Sequence, residues 1–231
     1  MFDFHTHILP NVDDGSKSVE MSLEMVHEIA RQGATGIAST SHFYADQNSP
    51  LEFLKRRQEA WSKLIPSLDV TVPPLRLGAE VHFFEGIEKN PDIPRLRIAG
   101  TKVLLLEMPS AKWSQRTIAS VVDLNHRGDI TVLLAHIERY IDMNDRDVWD
   151  HFLDNDIMMQ VSCEFFADKR TRRLAMKMLE AGRIHVLGTD SHNMSSRKPD
   201  LEPCVNAILK KLGVDALRRI EYYEDRLLNE T

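Results

Sequence analysis

Cysteine is nearly absent: the 231 residues contain two, Cys163 and Cys204. Two thiols cannot build a disulfide framework, and a reducing cytoplasm is the compartment expected for such a chain. Sulfur is not a promising nucleophile either. A cysteine-based phosphate cradle needs a glycine-rich loop closed by an arginine six positions on, and the residues found there are Lys169 and Lys210. Long apolar runs are missing, with nothing near the roughly 18 residues of a membrane-spanning helix, and mean hydropathy is −0.31. The opening MFDFHTHILP has neither a basic region nor an apolar one and does not read as a secretory signal. Positive charge is not in excess: the net charge of −6 argues against non-specific nucleic-acid binding. No glycine-, serine- or proline-rich linker, internal repeat or low-complexity tract divides the chain, so one domain over residues 1–231 is expected.

What is present is an alternation of short apolar runs with amphipathic stretches, the mark of a parallel sheet or barrel. Seven strands are predicted, at 2–5, 36–40, 75–79, 103–106, 131–135, 157–162 and 184–188. A first helix covers about 18–32, with Val19, Leu23, Val26, Ile29 and Ala30 on one face. A second begins at the Ser49 N-cap with Pro50 in its first turn, and Leu51, Leu54, Trp61 and Leu64 are expected to face inward. Further helices are expected at 114–127, 146–154, 169–181, 203–211 and 215–228. Residues 85–101 form the most irregular stretch, and the expectation there is a flap or rim of the active site.

Ligand-type residues fall at the strand ends. His5 and His7 close strand one, spaced so that both rings reach the same side of an extended chain. Asp13 and Asp14 follow in the same loop, His42 lies past strand two, and Glu80 and Glu107 end strands three and four. His136 ends strand five, and Asp190 with His192 end strand seven. In a parallel barrel these ends converge on one rim, where active sites are built. So much unpaired polarity in one cleft calls for metal ions. Nitrogen and oxygen donors without thiolate suit Zn²⁺, Mn²⁺ or Fe²⁺, and nine candidate ligands, counting one of Asp13 and Asp14, serve two or three ions rather than one. Three divalent ions against Asp14, Glu80, Glu107 and Asp190 leave a site charge of about +2. Arg139 and Arg197 add to it, so a compact dianion such as a phosphate monoester is the expected guest.

The motifs DFHTHILPNVDDG (3–15), STSH (39–42), GAE (78–80), LLLEMPS (104–110), AHIERY (135–140) and GTDSHN (188–193) resemble the polymerase-and-histidinol-phosphatase family. They resemble in particular its branch of tyrosine-protein phosphatases from bacterial capsule and exopolysaccharide operons. The resemblance implies an α/β fold, a distorted (β/α)7 barrel. It implies that His5, His7, Glu80 and Asp190 hold a first metal, and that Glu80 bridges to a second held by Glu107 and His136. Asp14, in preference to Asp13, would hold a third metal with His42 and His192. It implies manganese as the ion, with iron, zinc or cobalt as alternatives. Arg139 and Arg197 resemble the phosphate-binding pair, and a metal-bridging hydroxide is the implied nucleophile. The implied partner is the phosphotyrosine-bearing tail of a polysaccharide-regulating tyrosine kinase. The final YYEDRLLNET departs from the family, which continues through an Asn-Pro-Arg-type segment.

Other readings stay open at this level. A small-molecule phosphomonoesterase, such as a histidinol phosphatase, would use the same residues. A two-metal amidohydrolase shares the first His-x-His but needs a bridging lysine where this chain has Glu107. A non-catalytic metal-binding regulator would hold metal without turnover. Among the other histidines, His27, His126 and His151 read as helix-surface residues and His185 as structural. His82, two residues past Glu80, is the one placed to reach a substrate. The methionines at 21–25 and 176–178 read as helix packing.

Overall fold

The computed structural model describes residues 1–229; the last two residues of the expected 1–231 domain, Glu230 and Thr231, lie outside the described residues. The strands are β1 (Phe2–Thr6), β2 (Gly36–Ser39), β3 (His42–Phe43), β4 (Leu75–Leu77), β5 (Glu80–His82), β6 (Val103–Glu107), β7 (Thr131–Leu134), β8 (Met158–Ser162) and β9 (Val186–Gly188). All their pairings are parallel, in the orders β1-β2-β4 and β3-β5-β6-β7-β8-β9. The seven expected strands become nine because strands two and three each break. Their first halves, β2 and β4, pair in one sheet and their second halves, β3 and β5, in the other. The seam between the first and last strands is held by a Thr6–Ser191 bridge, with His7 N–H donating to Ser191 O at 2.9 Å and Asp190 N–H to His5 O at 2.8 Å. The result is the expected distorted α/β barrel.

Side-chain alternation along the strands sorts the core. On β6, Leu104 and Leu106 belong to the large outer cluster under the helices, while Val103 and Leu105 point inward with Ala38, Leu133, Met158 and Val186. Glu107 is in phase with Val103 and Leu105, so the period of two carries it to the mouth of the barrel. Leu227, from the last helix, packs into the inner cluster with Tyr223 and Leu228 against it. Each fully buried side chain of this size contributes about 1.5–3 kcal/mol relative to exposure. Gly188 is required at the seam: a Cβ there would lie 2.5 Å from His5 Cβ.

The helices are α1 (Val19–Arg31), α2 (Pro50–Leu64), α3 (Gln115–Asn125), α4 (Arg146–Asp154), α5 (Glu164–Ala167), α6 (Arg172–Glu180), α7 (Leu201–Leu212) and α8 (Val214–Asn229). The Ser18, Ser49 and Ser114 caps fall where the sequence places them, and Ser49 with Glu52 forms a full capping box. Two expectations are corrected. Leu51 is exposed in the first turn of α2, whose inward face is Phe53, Ala60 and the expected Leu64, with the expected Leu54 and Trp61 partly buried against the core beside them. The helix expected at 169–181 begins at Arg172 and is preceded by α5, which the sequence reading missed. The methionine stretches do pack into the core, with Met25, Met176 and Met178 buried.

Residues 85–101 are not a flap. Two 3-10 turns, Ile87–Lys89 and Ile93–Leu96, bury Ile87, Ile93, Leu96 and Ile98. The segment ends with Ile98 N–H bonded to Val103 O at the start of β6. It is the β5–β6 crossover that parallel pairing demands, built without an α-helix.

At the other end of the barrel, Phe2 N–H donates to Glu224 Oε2 at 3.0 Å, while Oε1 has no partner. Burial pushes this carboxyl from 4.5 up to about 7. The folded state therefore binds the proton more tightly than the unfolded chain does. Stability falls as the pH rises from 4.5 to about 7 and stays reduced above it. Glu224→Gln, which mimics the protonated acid, should raise Tm at about pH 8 and change it little below the unfolded-state value. Melting curves at the two pH values check this.

Candidate metal centre

The nine predicted ligand residues come together at the C-terminal mouth of the barrel. His5 lies within β1, His42 in β3, Glu80 in β5 and Glu107 in β6, while His7, Asp14, His136, Asp190 and His192 sit on the loops that follow strands. A register shift between Asp3 and Thr6 breaks the alternation of β1, every residue of which is buried. His136 and Asp190 are both left-handed, with φ of 33° and 51°, a conformation rare outside glycine. The chain leaves each strand sharply at these two points. Gly15 closes the first loop under His7, where a Cβ would meet His7 O at 2.3 Å.

The donor atoms form three overlapping groups: His5, His7, Glu80 and Asp190; His7, Asp14, His42 and His192; and His42, Glu80 and Glu107. Within each group the ligand atoms lie within 4.8 Å of one another. Glu80 is common to two of them. Its Oε2 is 3.0 Å from His5 Nε2, 3.3 Å from His7 Nε2 and 3.0 Å from His42 Nδ1. Its Oε1 is 2.6 Å from His136 Nε2, which stands 3.8 Å from Glu107 Oε1. His136 therefore joins the Glu80–Glu107 pair, with His42 beside it. Asp14 Oδ1 lies 3.3 Å from His192 Nε2 and 3.6 Å from His42 Nε2.

The hydrogen bonding tests whether ions fit. Glu80 Oε2, His42 Nδ1 and His192 Nε2 are all buried without a hydrogen-bond partner among the described residues, although other donor-type atoms crowd them. His5 Nε2 and His7 Nε2 stand 3.1 Å apart. Donor atoms that converge on one carboxylate oxygen in this way suit a divalent cation, and the nitrogen–oxygen donor set suits a first-row transition ion. Burial opposes charge on Glu80 and Asp190, yet the neighbouring His5 charge holds both well below the ordinary carboxylate range. Burial, reinforced by the charge on His7, depresses His192 to about 4 and keeps the ring neutral; with Nδ1–H donating to the Asp190 carbonyl, Nε2 is the unprotonated nitrogen that can coordinate.

Three residues that the sequence reading did not assign, together with the backbone carbonyl of Asp190, hold these rings in place. Asp13 Oδ2 sits 2.7 Å from His7 Nδ1 and accepts from His42 N–H at 2.9 Å. Gln160 Oε1 is 3.2 Å from His5 Nδ1 and accepts from His136 N–H at 2.8 Å. Tyr140 Oη is 3.2 Å from His136 Nδ1, and the Asp190 carbonyl is 2.9 Å from His192 Nδ1. In all four histidines Nδ1 is thus engaged and Nε2 is left for the centre, the arrangement that tunes metal-ligating histidines. Asp13 was legible as the neighbour of Asp14, whereas Gln160 reads only as one polar residue in a buried strand. Asp13→Asn should weaken metal binding about 10- to 100-fold while leaving every ligand in place, as a calorimetric Mn²⁺ titration would register.

The arginines meet on one atom. Arg197 donates to Asp190 Oδ2 at 2.8 Å and Arg139 donates to the same oxygen, while Oδ1 faces His5 and His7. Both guanidinium groups also line a cleft of about 440 Å³ with Ser162, Phe165 and Thr189. A second cleft, of about 240 Å³, is lined by Asp13, Asp14, His42, Tyr44 and Arg56. His82 is partly exposed at the rim and bonded to Glu107 Oε2 at 3.0 Å. His185 precedes β9 instead of lying inside it; its Nδ1 accepts from Met159 N–H, and burial lowers it to about 4, which agrees with a structural role.

The chain also has close relatives in sequence and structure. The family model described as capsular polysaccharide synthesis, CpsB/CapC, matches residues 1–228. Tyrosine-protein phosphatase CpsB of Streptococcus pneumoniae is 30% identical over 239 residues, covering 95% of this chain and 94% of that protein. Tyrosine-protein phosphatase YwqE of Bacillus subtilis (strain 168) is 26% identical, covering 92% and 85%. The crystal structures of YwqE from Bacillus subtilis and CpsB from Streptococcus pneumoniae, described as unique metal-dependent tyrosine phosphatases, share the fold. There the TM-score is 0.85 at 23% identity, over 100% of this chain and 96% of the other. With its barrel, its strand-end histidines and a family match along nearly its whole length, the chain belongs to the CpsB/CapC family of capsular polysaccharide synthesis.

Proposed function

We propose that this chain is a metal-dependent protein-tyrosine phosphatase, built as one domain and acting in the cytoplasm. Its substrate is phosphotyrosine on a tyrosine kinase that regulates capsule or exopolysaccharide synthesis. The observation that carries the reading is the convergence of orphaned donor atoms on Glu80 beside two arginines that share one carboxylate oxygen. The relatives' names support it. His5, His7, Glu80 and Asp190 would hold one ion, Glu80, Glu107 and His136 a second, and Asp14, His42 and His192 a third, with Mn²⁺ the favoured metal. Bound there, divalent ions supply Lewis-acid charge and an activated water at neutral pH.

The protein's own groups do the rest. Arg139 and Arg197 turn their N–H forks toward the phosphate and stabilise the charge that spreads over its equatorial oxygens. Asp190 spaces the two guanidinium groups, and Asp13, Gln160 and Tyr140 fix the rings so that little reorganisation accompanies reaction. A phenol has a pKa of about 10, so the leaving tyrosine needs less proton donation than a serine would. The test is metal analysis paired with hydrolysis of a phosphotyrosyl peptide and of histidinol phosphate, before and after chelation. Chelation should abolish activity and Mn²⁺ restore it. Activity surviving complete metal removal, or a strong preference for histidinol phosphate, would refute the proposal.

A further inference from the structure

A surface of strongly one-sided charge on this acidic chain lies outside the metal centre. A groove of about 670 Å³ between α6 and α7 has Met176 and Ala207 among its lining residues. Around it stand Lys169, Arg172, Arg173, Lys177, Lys210 and Lys211, with Glu180 the one acidic residue of the lining. Arg172 is tied to the Phe166 and Ala167 carbonyls. The other five cations are exposed and make no salt bridge among the described residues. Many exposed cations elsewhere are matched, such as Arg31 with Glu28, Arg95 with Asp92, Lys112 with Asp145, Arg146 with Asp150 and Arg218 with Asp215, although Lys55, Arg56, Lys63 and Lys198 make no salt bridge among the described residues.

A solvated helix face would not need this arrangement. Arg173 and Lys177 are a like-charge pair four residues apart on α6, which destabilises a helix. Lys177, Lys210 and Lys211 complement the C-terminal dipoles of α6 and α7, whereas Arg173 stands in the first turn of α6, where a cation opposes the dipole. A concave site with net positive lining on a chain of net charge −6 concentrates anions locally.

The groove is also joined to the catalytic side. Asp168, Arg170 and Thr171 line the cleft that holds Arg139 and Arg197, and Lys169, Arg172 and Arg173, interleaved with them, line the groove. One turn is therefore a wall of both. α6 and α7 each follow a barrel strand, β8 and β9, and so begin near the mouth. The twelve residues of α7 span roughly 18 Å, the reach of about six extended residues.

We infer that the α6–α7 groove docks an anionic segment of the protein substrate, rich in aspartate, glutamate or further phosphotyrosine, while a neighbouring phosphotyrosine occupies the metal centre. This rests on the phosphatase reading above. A concave groove that shares a wall with the catalytic cleft fits an extended peptide; a flat bilayer could not enter it.

The experiment compares phosphotyrosyl peptides that share one core and carry, on either side, a six-residue extension of glutamate or of glutamine. On the wild-type protein the glutamate extension should lower KM about tenfold at low ionic strength, through several surface charge pairs acting together. The preference should vanish at about 0.5 M salt. The triple variant Lys177→Glu/Lys210→Glu/Lys211→Glu should bring the ratio of kcat/KM between the two peptides to one or below, and a ratio within one variant is insensitive to its overall activity. Equal hydrolysis of both peptides by the wild type, or a preference that survives charge reversal, overturns the inference and leaves the phosphatase reading standing. Hydrolysis of neither peptide would sink that reading itself. Binding to anionic phosphatidylglycerol vesicles, lost in the triple variant and without any peptide preference, would assign the groove to membranes and overturn the docking role.

Discussion

Glu80→Gln should lower kcat/KM toward phosphotyrosyl substrate by at least about a thousandfold, a loss at the upper end for a preorganised electrostatic group. The substitution preserves volume and one carbonyl oxygen. It removes the charge that two groups of donors share, and puts an N–H₂ where Oε1 or Oε2 faced a ring nitrogen. The amide can donate to a histidine lone pair, so the metal-free protein should fold and melt at nearly the wild-type temperature. What it should lose is the metal-linked rise in Tm, which for a tight ligand in excess is a few kcal/mol of added stability. Calorimetric melts with and without Mn²⁺, paired with metal analysis of the purified protein, separate the outcomes. An active, fully metallated Gln variant would remove Glu80 from the centre.

Exchanging both Arg139 and Arg197 for lysine should reduce kcat on the order of 10²–10³-fold with metal content unchanged. Lysine keeps the charge and can still pair with Asp190, but it is a point donor and cannot present a planar fork to phosphate. Removing charge from a rim salt bridge exposed to water would matter far less, so the conservative exchange distinguishes phosphate binding from simple pairing. Substrate kinetics beside metal stoichiometry give the answer. A double variant with near wild-type kcat would confine both arginines to supporting Asp190.

Much of the site was legible because barrel geometry converts chain order into proximity. A ligand-type residue at the end of each strand needs only the parallel architecture to bring it to the others, and His5, Glu80, Glu107, His136 and Asp190 did follow from that. The breaks that turn seven strands into nine were not legible. They depend on which neighbour accepts the N–H groups around Thr40 and Gly78, and local composition does not encode this. The burial of Ile87, Ile93, Leu96 and Ile98 was hidden by the irregular dihedrals of 3-10 turns, which follow neither strand nor helix periodicity. Gln160 was missed for a related reason: alternation places it inside the barrel, but only the tertiary structure shows its carbonyl beneath His5 and His136. Leu51 was misplaced because the apolar stripe it shares with Leu54 is covered by the core only from Phe53 onward, leaving the first turn of α2 in water.

The sharing of Asp190 Oδ2 by the two arginines bears on turnover. Both guanidinium groups rest on an internal anion, so on the proposed reading a phosphate would bind them by exchange with Asp190 and not by filling a bare positive site. A dianion would compete for both arginines at once, whereas a singly charged ester would compete poorly. Departing inorganic phosphate would leave behind arginines with a partner to return to. The carboxylate that keeps the two arginines together would thereby also ease product release.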